Sequence, residues 1–302
     1  MVLTRRPAGA AALVLVTVAS MVATLLNGVA VADQVAPAVG LLRVTEGTLV
    51  NERRPDIDGV RRYGRRLVAD AGSWSRRPDR VRYQWLRNGN PIKGATGRRH
   101  KLGLADFGER LSVRVVVRKD GFGKGVARSR ATGRINHRVP VRHTVTYHVA
   151  TRGRVSANMA TFRRLARATF EDPRGWRGAG VAFRRVARGG DLRLVLSEAS
   201  QVPTFSSGCS SRWSCRVGRY VIINQTRWRH ASPTWNDAGR SRRDYRHMVL
   251  NHETGHWLGH GHRGCTGRGN RAPVMQQQSI RLDGCRPDPW PTAAERRLPR
   301  FA

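Results

Sequence analysis

The residues best suited to chemistry lie within one short stretch, Asn251 to His262, whose sequence is NHETGHWLGHGH. His252 and His256 are about one helical turn apart, so on a helix both imidazoles project from the same face and can bind one metal ion. Glu253 lies beside them, where it can take a proton from a metal-activated water without binding the metal. This spacing predicts two metal ligands and a general base on one helix.

A third ligand is predicted just after that helix. Gly259 can adopt the positive φ that ends a helix, and the turn it permits would bring His262 back toward the metal. Three histidines leave one position of a tetrahedral zinc site open for water, which is typical of a catalytic site. Two alternatives are a surface helix that carries histidines by chance and a purely structural zinc. The full pattern HExxHxxGxxH argues against the first, and the open position argues against the second.

A helix and several strands must position this site. The metal-binding helix is predicted from Arg242 to Leu258, with Ser241 as its N-cap and Asp244 three residues later. An earlier helix is predicted from an N-cap at Ser156 to about Phe170. The predicted strands cover residues 144–149, 181–186, 192–196 and 218–224. The order β, α, β, β, β, α predicts an α+β domain over residues 138–302.

Two other histidines lie near the motif in sequence. His260 is flanked by glycines and is predicted to be exposed. His247 is five residues before His252, which places it off the ligand face of the helix. Neither is expected to bind the metal.

The preceding region, residues 41–136, has the pattern of short strands separated by turns. Arg80–Arg87 alternates between polar and apolar residues, and Asn88-Gly89 follows as a turn. A second alternating run covers residues 110–118. The spacing predicts a small, all-β sandwich.

This region resembles the Ig-like modules of bacterial surface proteins. The resemblance rests on Trp85 within YQWLRNG and on Asp106 and Gly108 within ADFG. It implies that Trp85 is the buried tryptophan of the sandwich and that Asp106 and Gly108 form a corner before the penultimate strand. The region lacks the disulfide cysteines of antibody domains. The sequence leaves two roles open for this region. It is either a spacer or a module that binds the cell wall or a partner.

The C-terminal region resembles the metzincin class of zinc proteases. The resemblance rests on the zinc motif and on Pro273-Val-Met275, because metzincins place a methionine in a tight turn beneath the zinc ligands. The amino-acid sequences of these two segments also resemble those of a group of exported actinobacterial metzincin-like proteins. The resemblance implies that Met275 is the Met-turn residue. The expected fold is therefore two domains, an N-terminal Ig-like sandwich and a C-terminal α+β metzincin-like zinc protease domain.

Two features depart from the metzincin pattern. Arg263 follows the third histidine, where many members have an acidic or small residue. No cysteine precedes Cys209 in the sequence, so the inhibitory thiol of the matrix-degrading branch is not expected here.

The expected activity is hydrolysis of peptide bonds in a peptide or protein substrate by a zinc-activated water, with Glu253 as general base. The strand near Tyr220 to Asn224 could pair with an extended substrate if it forms a sheet edge. The alternative is that this strand is central and buried. Two other functions stay open. One is a cell-surface binding or adhesion protein with a vestigial zinc site, and the other is a zinc hydrolase that acts on peptidoglycan peptides.

All four cysteines lie in the C-terminal half, and three pairings are open to them. In an exported protein an even number of cysteines predicts disulfides. The favoured pairs are Cys209 with Cys215 and Cys265 with Cys285, because short loops close most easily. A second zinc site is the alternative, although the spacings are not of the CxxC type.

Residues 1–32 have the pattern of a targeting segment, followed by a linker at residues 33–40. Arg5 and Arg6 precede an apolar run, and Ala30-Val31-Ala32 matches a cleavage site. The run is long, so both a signal peptide and an uncleaved membrane anchor stay open. Either places the rest of the chain in the extracellular space or the cell envelope.

The formal net charge is +36, and lysine accounts for only four of the 56 basic residues. Arginines spread along the whole chain in this way are typical of a GC-rich coding bias rather than of a binding stripe. No nucleic-acid motif is present, and the basic runs are not interleaved with stacking aromatic residues. Nucleic acid is therefore not an expected partner, whereas an anionic cell-envelope surface stays open as one.

Overall fold

The computed structural model describes residues 47–302. The predicted targeting segment, the linker and the first residues of the predicted sandwich lie outside this range. Among the residues described, no helix has both the length and the apolar character needed to cross a bilayer. The described residues belong to one unit, which contains an N-terminal strand-rich region and a C-terminal mixed α/β domain.

The N-terminal region is built from short antiparallel strands. They form a two-stranded sheet (β1-β4), a three-stranded sheet (β2-β3-β7) and a four-stranded sheet (β6-β5-β8-β9). The strands are β1 (Asn51–Arg53), β2 (Asp56–Asp58), β3 (Arg66–Asp70), β4 (Ser73–Trp74), β5 (Arg80–Arg87), β6 (Asn90–Pro91), β7 (Arg99–Lys101), β8 (Leu111–Arg118) and β9 (Gly125–Arg128).

Trp85 and Asp106 anchor this region from its interior. Trp85 is fully buried, as predicted, and its indole N–H donates to the Gly97 carbonyl at 2.9 Å. Asp106 is also buried, and its carboxylate accepts hydrogen bonds from the Arg87 guanidinium. The His100 ring lies 3.0 Å from the second carboxylate oxygen. The buried carboxylate is therefore compensated by charge and hydrogen bonding, as a buried ion requires.

The C-terminal domain has one mixed sheet with helices on one face. The sheet order is β11-β10-β12-β14-β13, with four parallel strands and an antiparallel β13 at the edge. The elements are β10 (His143–Arg152), α1 (Met159–Glu171), β11 (Val181–Arg185), β12 (Leu192–Ser197), β13 (Cys215–Val217), β14 (Tyr220–Asn224), α2 (Gln225–His230), α3 (Pro233–Asp237) and α4 (Arg242–Trp257).

The position of β14 decides between the two alternatives left open by the sequence. β14 lies between β12 and β13, so both of its edges are already paired. Residues 215–217 fold back beside it as a short hairpin strand. The strand open to a further partner at this side of the sheet is therefore β13.

Helices α1 and α4 pack on the same face of the sheet and bury its main core. Helix α1 begins later than predicted, because Asn158 caps it by accepting from the Thr161 amide at 2.8 Å. Ser156 lies outside the helix, where its hydroxyl accepts from Arg229. Helix α4 begins as predicted, with the Ser241 hydroxyl accepting from the Asp244 amide at 3.0 Å.

Candidate metal centre

Three histidine side chains converge at the C-terminal end of α4. His252 and His256 lie on the helix, and His262 follows the turn after it. The Nε2 atom of His256 lies 3.1 Å from the Nε2 atoms of both His252 and His262. The three ligand atoms lie within 4.8 Å of one another, so this cluster could bind a metal ion.

Both ring nitrogens of the helical histidines have defined roles. The Nδ1 atom of His252 lies 2.8 Å from the Val274 carbonyl, and that of His256 lies 2.8 Å from the His260 carbonyl. A carbonyl can only accept, so each Nδ1 carries the proton and each Nε2 presents its lone pair to the centre. This arrangement is typical of histidines whose orientation is fixed for metal binding.

The geometry and the charge state of the cluster are compatible with binding a metal ion. Zn–N bonds of about 2.0 Å in a tetrahedral arrangement place ligand nitrogens about 3.3 Å apart, close to the spacing observed here. Burial lowers the pKa of His252 to about 3, and it lowers the pKa of His256 and His262 as well. The imidazoles are therefore neutral at pH 7, the form that binds metal.

The turn after α4 depends on Gly259, as the sequence predicted. Gly259 has φ of +95°, and its N–H donates to the His256 carbonyl at 3.1 Å. An added Cβ would lie 3.1 Å from both the Arg300 nitrogen and Pro299. Glycine thus provides the backbone conformation and also lets the C-terminal segment approach.

Glu253 lies at the base of a cleft that runs past the three histidines. Its side chain is buried, and burial raises its pKa to about 8, while the positive charge of Arg216 opposes this shift. A carboxyl group whose pKa lies close to neutral pH is suited to accepting and returning a proton.

The cleft has a volume of about 340 Å³ and is formed by a floor and two walls. The floor is the face of α4 that bears the site. One wall is the loop from Gly208 into β13, and the other is the segment 277–280. Tyr245 connects the floor to the second wall, because its hydroxyl lies 2.9 Å from the Ser279 hydroxyl. The lining residues are Gly208, Cys209, Ser210, Trp213, Ser214, Cys215, Arg216, Tyr245, Met248, Val249, His252, Glu253, His256, His262, Gln277, Gln278, Ser279 and Ile280.

Met275 lies directly beneath the metal-binding helix. It is fully buried, and an added Cβ at Gly255 would overlap its sulfur and lie 2.8 Å from Trp176. The backbone nitrogens of Val274 and Met275 donate to the carboxylate of Glu295 at 3.1 and 2.8 Å. Gly255 and Glu295 therefore hold the turn at Met275 against the helix.

Both predicted disulfides are present. Cys209 pairs with Cys215, with Cα atoms 5.9 Å apart, and Cys265 pairs with Cys285, with Cα atoms 5.7 Å apart. The first closes the loop that forms one wall of the cleft. The second ties the chain after His262 to the chain after Met275. All four cysteines are thus used in disulfides rather than in a second metal site.

The predictions for the two other histidines near the motif, His260 and His247, have different outcomes. His260 is buried rather than exposed, because its ring stacks on Trp176 with centroids 5.0 Å apart. His247 lies off the ligand face, as predicted, and its Nδ1 atom is 2.8 Å from the Thr169 hydroxyl.

Sequence reasoning did not find Gly255, Glu295 or Arg216. Gly255 could have been noticed as a glycine inside a helix, where it is unfavourable without a packing reason. Glu295 ends a TxxE capping pattern that begins at Thr292, which is visible in the sequence. Its contact with the backbone of the distant turn at Met275 is not visible there. Nothing in the sequence distinguishes Arg216 from the many other arginines of the chain.

These features define a mixed α/β domain with a three-histidine site that could bind a metal ion, preceded by a strand-rich region. Comparison with known families matches residues 123–288 to the family described as "Protein of unknown function (DUF3152)". The match spans more than half of the chain, which therefore belongs to this family. It includes the three histidines, Glu253 and Met275 but ends before Glu295. A search of curated proteins finds no match.

Proposed function

We propose that this chain is an exported zinc-dependent endopeptidase. The observation that carries the proposal is the position of Glu253. Its buried carboxylate lies in an open cleft beside three imidazoles whose Nε2 atoms converge. A structural zinc site needs no such carboxylate, whereas hydrolysis by an activated water requires a base at this position.

His252, His256 and His262 would hold the metal. A bound zinc ion supplies a Lewis acid that polarises a peptide carbonyl and makes water a stronger acid. Glu253 accepts the proton of the attacking water and later donates it to the amine that leaves. The raised pKa of Glu253 makes its carboxylate a stronger base toward the attacking water, and the leaving amine, which is a stronger base still, can take the proton from it.

The free edge of β13 is the proposed place for the substrate backbone. β13 borders the cleft, and its outer edge has no neighbouring strand among residues 47–302. An extended peptide could add to this edge through main-chain hydrogen bonds and pass over the metal site. The substrate is therefore expected to pair with β13 rather than with β14.

We also propose a fold family for each of the two regions. The domain from residue 138 would be of metzincin type, supported by the glycine turn at Gly259 and by Met275 beneath the ligands. The strand-rich region would be an Ig-like module, supported by the buried Trp85.

Export is supported by the two disulfides. Disulfides are typical of proteins outside the cytoplasm, where thiols are not kept reduced. A location in the extracellular space or cell envelope is therefore proposed.

The test is to measure bound zinc and cleavage of a mixed peptide library, with Glu253→Gln as the matched variant. The proposal expects zinc in both proteins and cleavage by the wild type alone, with a loss in kcat of at least about a thousandfold. Zinc-loaded wild type that cleaves no peptide would instead support a binding protein with a vestigial site. Cleavage of isolated peptidoglycan peptides but not of the library would identify those peptides as the substrate.

A further inference from the structure

Arg216 is a cation fixed on the rim of the candidate active site. It is the central residue of β13 and lines the cleft. Its register partner in β14 is Val221, which belongs to the core shared with α4. Because directly paired residues lie on the same face of a sheet, Arg216 is on the face that bears the metal site. Its positive charge lowers the pKa of both Glu253 and His256, consistent with this placement.

The guanidinium of Arg216 has no partner within the described chain. Across residues 47–302, its side chain makes no ion pair and no hydrogen bond, and the residue is exposed. Glu253 is the only carboxylate that lines the cleft, and its buried position at the base leaves it with no ion-pair contact to Arg216. Five N–H donors are therefore free to bind an incoming group.

The rest of the cleft is not basic. Arg216 is the only lysine or arginine among the 18 lining residues, although 56 of the 302 residues of the chain are basic. The other lining side chains outside the metal site are neutral, from Trp213 and Tyr245 to Gln277 and Ile280. A single cation in neutral surroundings favours a carboxylate at one substrate position rather than polyanions in general.

We propose that Arg216 forms a carboxylate-binding subsite, so that the preferred substrates are peptides with a carboxylate close to the bond that is cut. This inference rests on the proposed peptidase function. A peptide added to the edge of β13 places one side chain opposite Arg216 on the metal side of the sheet. The carboxylate belongs either to an aspartate or glutamate side chain or to the C-terminus of a short substrate.

The kinetic test compares three peptides of otherwise equal sequence. The first has an internal glutamate and an amidated C-terminus, the second has glutamine and a free C-terminus, and the third has glutamine and an amidated C-terminus. The wild type is expected to cleave one of the first two with kcat/KM about tenfold above the third. Which of the two is preferred identifies the source of the carboxylate. The preference should weaken in 1 M salt.

Variants at Arg216 make the assignment specific. In Arg216→Gln, the ratio of kcat/KM between the preferred carboxylate peptide and the third peptide should fall to about one. In Arg216→Glu, the third peptide should be cleaved faster than the carboxylate peptide. Arg212→Gln is the matched control, because Arg212 is exposed in the loop that precedes β13 and does not line the cleft. Its ratio should equal that of the wild type. A uniform loss on all three peptides in Arg216→Gln would contradict the proposal, since it would indicate a general role in the reaction. Equal cleavage of the three peptides by the wild type would also overturn it.

A binding measurement separates this inference from the proposed function. Zinc-loaded Glu253→Gln is titrated calorimetrically with the same peptides, with and without Arg216→Gln. Tighter binding of a carboxylate peptide that depends on Arg216 would support the subsite even if the wild type cleaves nothing, a result that would overturn the peptidase alone. Binding without any dependence on Arg216 would overturn the subsite and leave the peptidase in place.

Discussion

The carboxylate of Glu295 accepts a hydrogen bond from the backbone N–H of Met275 at 2.8 Å. Its other oxygen accepts from the amides of Val274 and Thr292 and from the Thr292 hydroxyl. Glu295 is fully buried. Because the Val274 carbonyl also orients His252, Glu295 is a positioning residue that acts on the metal site through the backbone.

Replacing Glu295 should therefore weaken both the fold and the metal site. Glu295→Ala leaves two buried backbone N–H groups without a partner, so the free energy of unfolding should fall by about 2–4 kcal/mol. Zinc affinity should fall about tenfold or more, because His252 loses its fixed orientation. Urea unfolding and competition with a chelator measure the two effects. Glu295→Gln keeps one acceptor oxygen, so its stability and zinc affinity should lie between those of the wild type and Glu295→Ala. Glu52→Ala is the control, because Glu52 is exposed. An unchanged zinc affinity in Glu295→Ala would contradict the positioning role.

Gly255 should resist substitution by alanine. In most helix interiors this change stabilises by about 1 kcal/mol. Here the new methyl group would overlap the sulfur of Met275 and press on Trp176, so Gly255→Ala should destabilise by about 1–3 kcal/mol. Thermal unfolding measures the difference. Gly261→Ala is the matched control, because a Cβ there meets nothing within 4 Å. Adding Met275→Ala to Gly255→Ala should relieve the overlap. Independent effects of these two substitutions would show that the residues are not in contact.

His262 separates metal binding from folding. It is exposed, so His262→Ala should leave the free energy of unfolding of the metal-free protein nearly unchanged. At a free zinc concentration about 100 times Kd, zinc should stabilise the wild type by about 2.7 kcal/mol. The variant should lose most of this stabilisation, since only two of the three imidazoles remain to bind the metal. The measurement is Tm with zinc and with a chelator, and exposed His230→Ala is the control. Full stabilisation of His262→Ala by zinc would remove His262 from the ligand set.

The local features of the site were predictable because their causes are local. The spacing of His252, Glu253 and His256 follows from the helical repeat, and the ends of α4 follow from the Ser241 cap and Gly259. Both disulfides followed from short loop closure. These predictions needed no knowledge of how distant segments pack.

The features that were missed depend on tertiary contacts. The prediction that Ser156 caps α1 was wrong, because Asn158 caps the helix and the hydroxyl of Ser156 accepts a hydrogen bond from Arg229 instead. His260 was predicted to be exposed because of its glycine neighbours, yet Trp176 from another segment covers it. The position of β14 inside the sheet depends on the return of β13, which is only three residues long. Pattern alone does not specify such packing.

His247 should make the stability of the protein depend on pH. Its ring is buried beside Thr169 and Trp290, and burial, assisted by Arg243, lowers its pKa from 6.5 to about 4. Between these two values the unfolded chain binds a proton that the folded chain does not. The stabilising contribution is therefore complete above pH 6.5 and is lost as the pH falls toward 4. His247→Gln can keep a hydrogen bond to Thr169 but has no proton to gain.

The wild type should consequently lose about 2 kcal/mol more than His247→Gln when the pH falls from 7.5 to 4.5. Urea unfolding at the two pH values, in the presence of a chelator, measures this difference without a contribution from metal release. The exposed His230→Gln serves as the control and should follow the wild type. Equal losses in the wild type and His247→Gln would mean that His247 is protonated to the same extent in the folded and unfolded chains. Acid lability would then have to come from other histidines such as the half-buried His137, whose pKa partial burial also lowers to about 4.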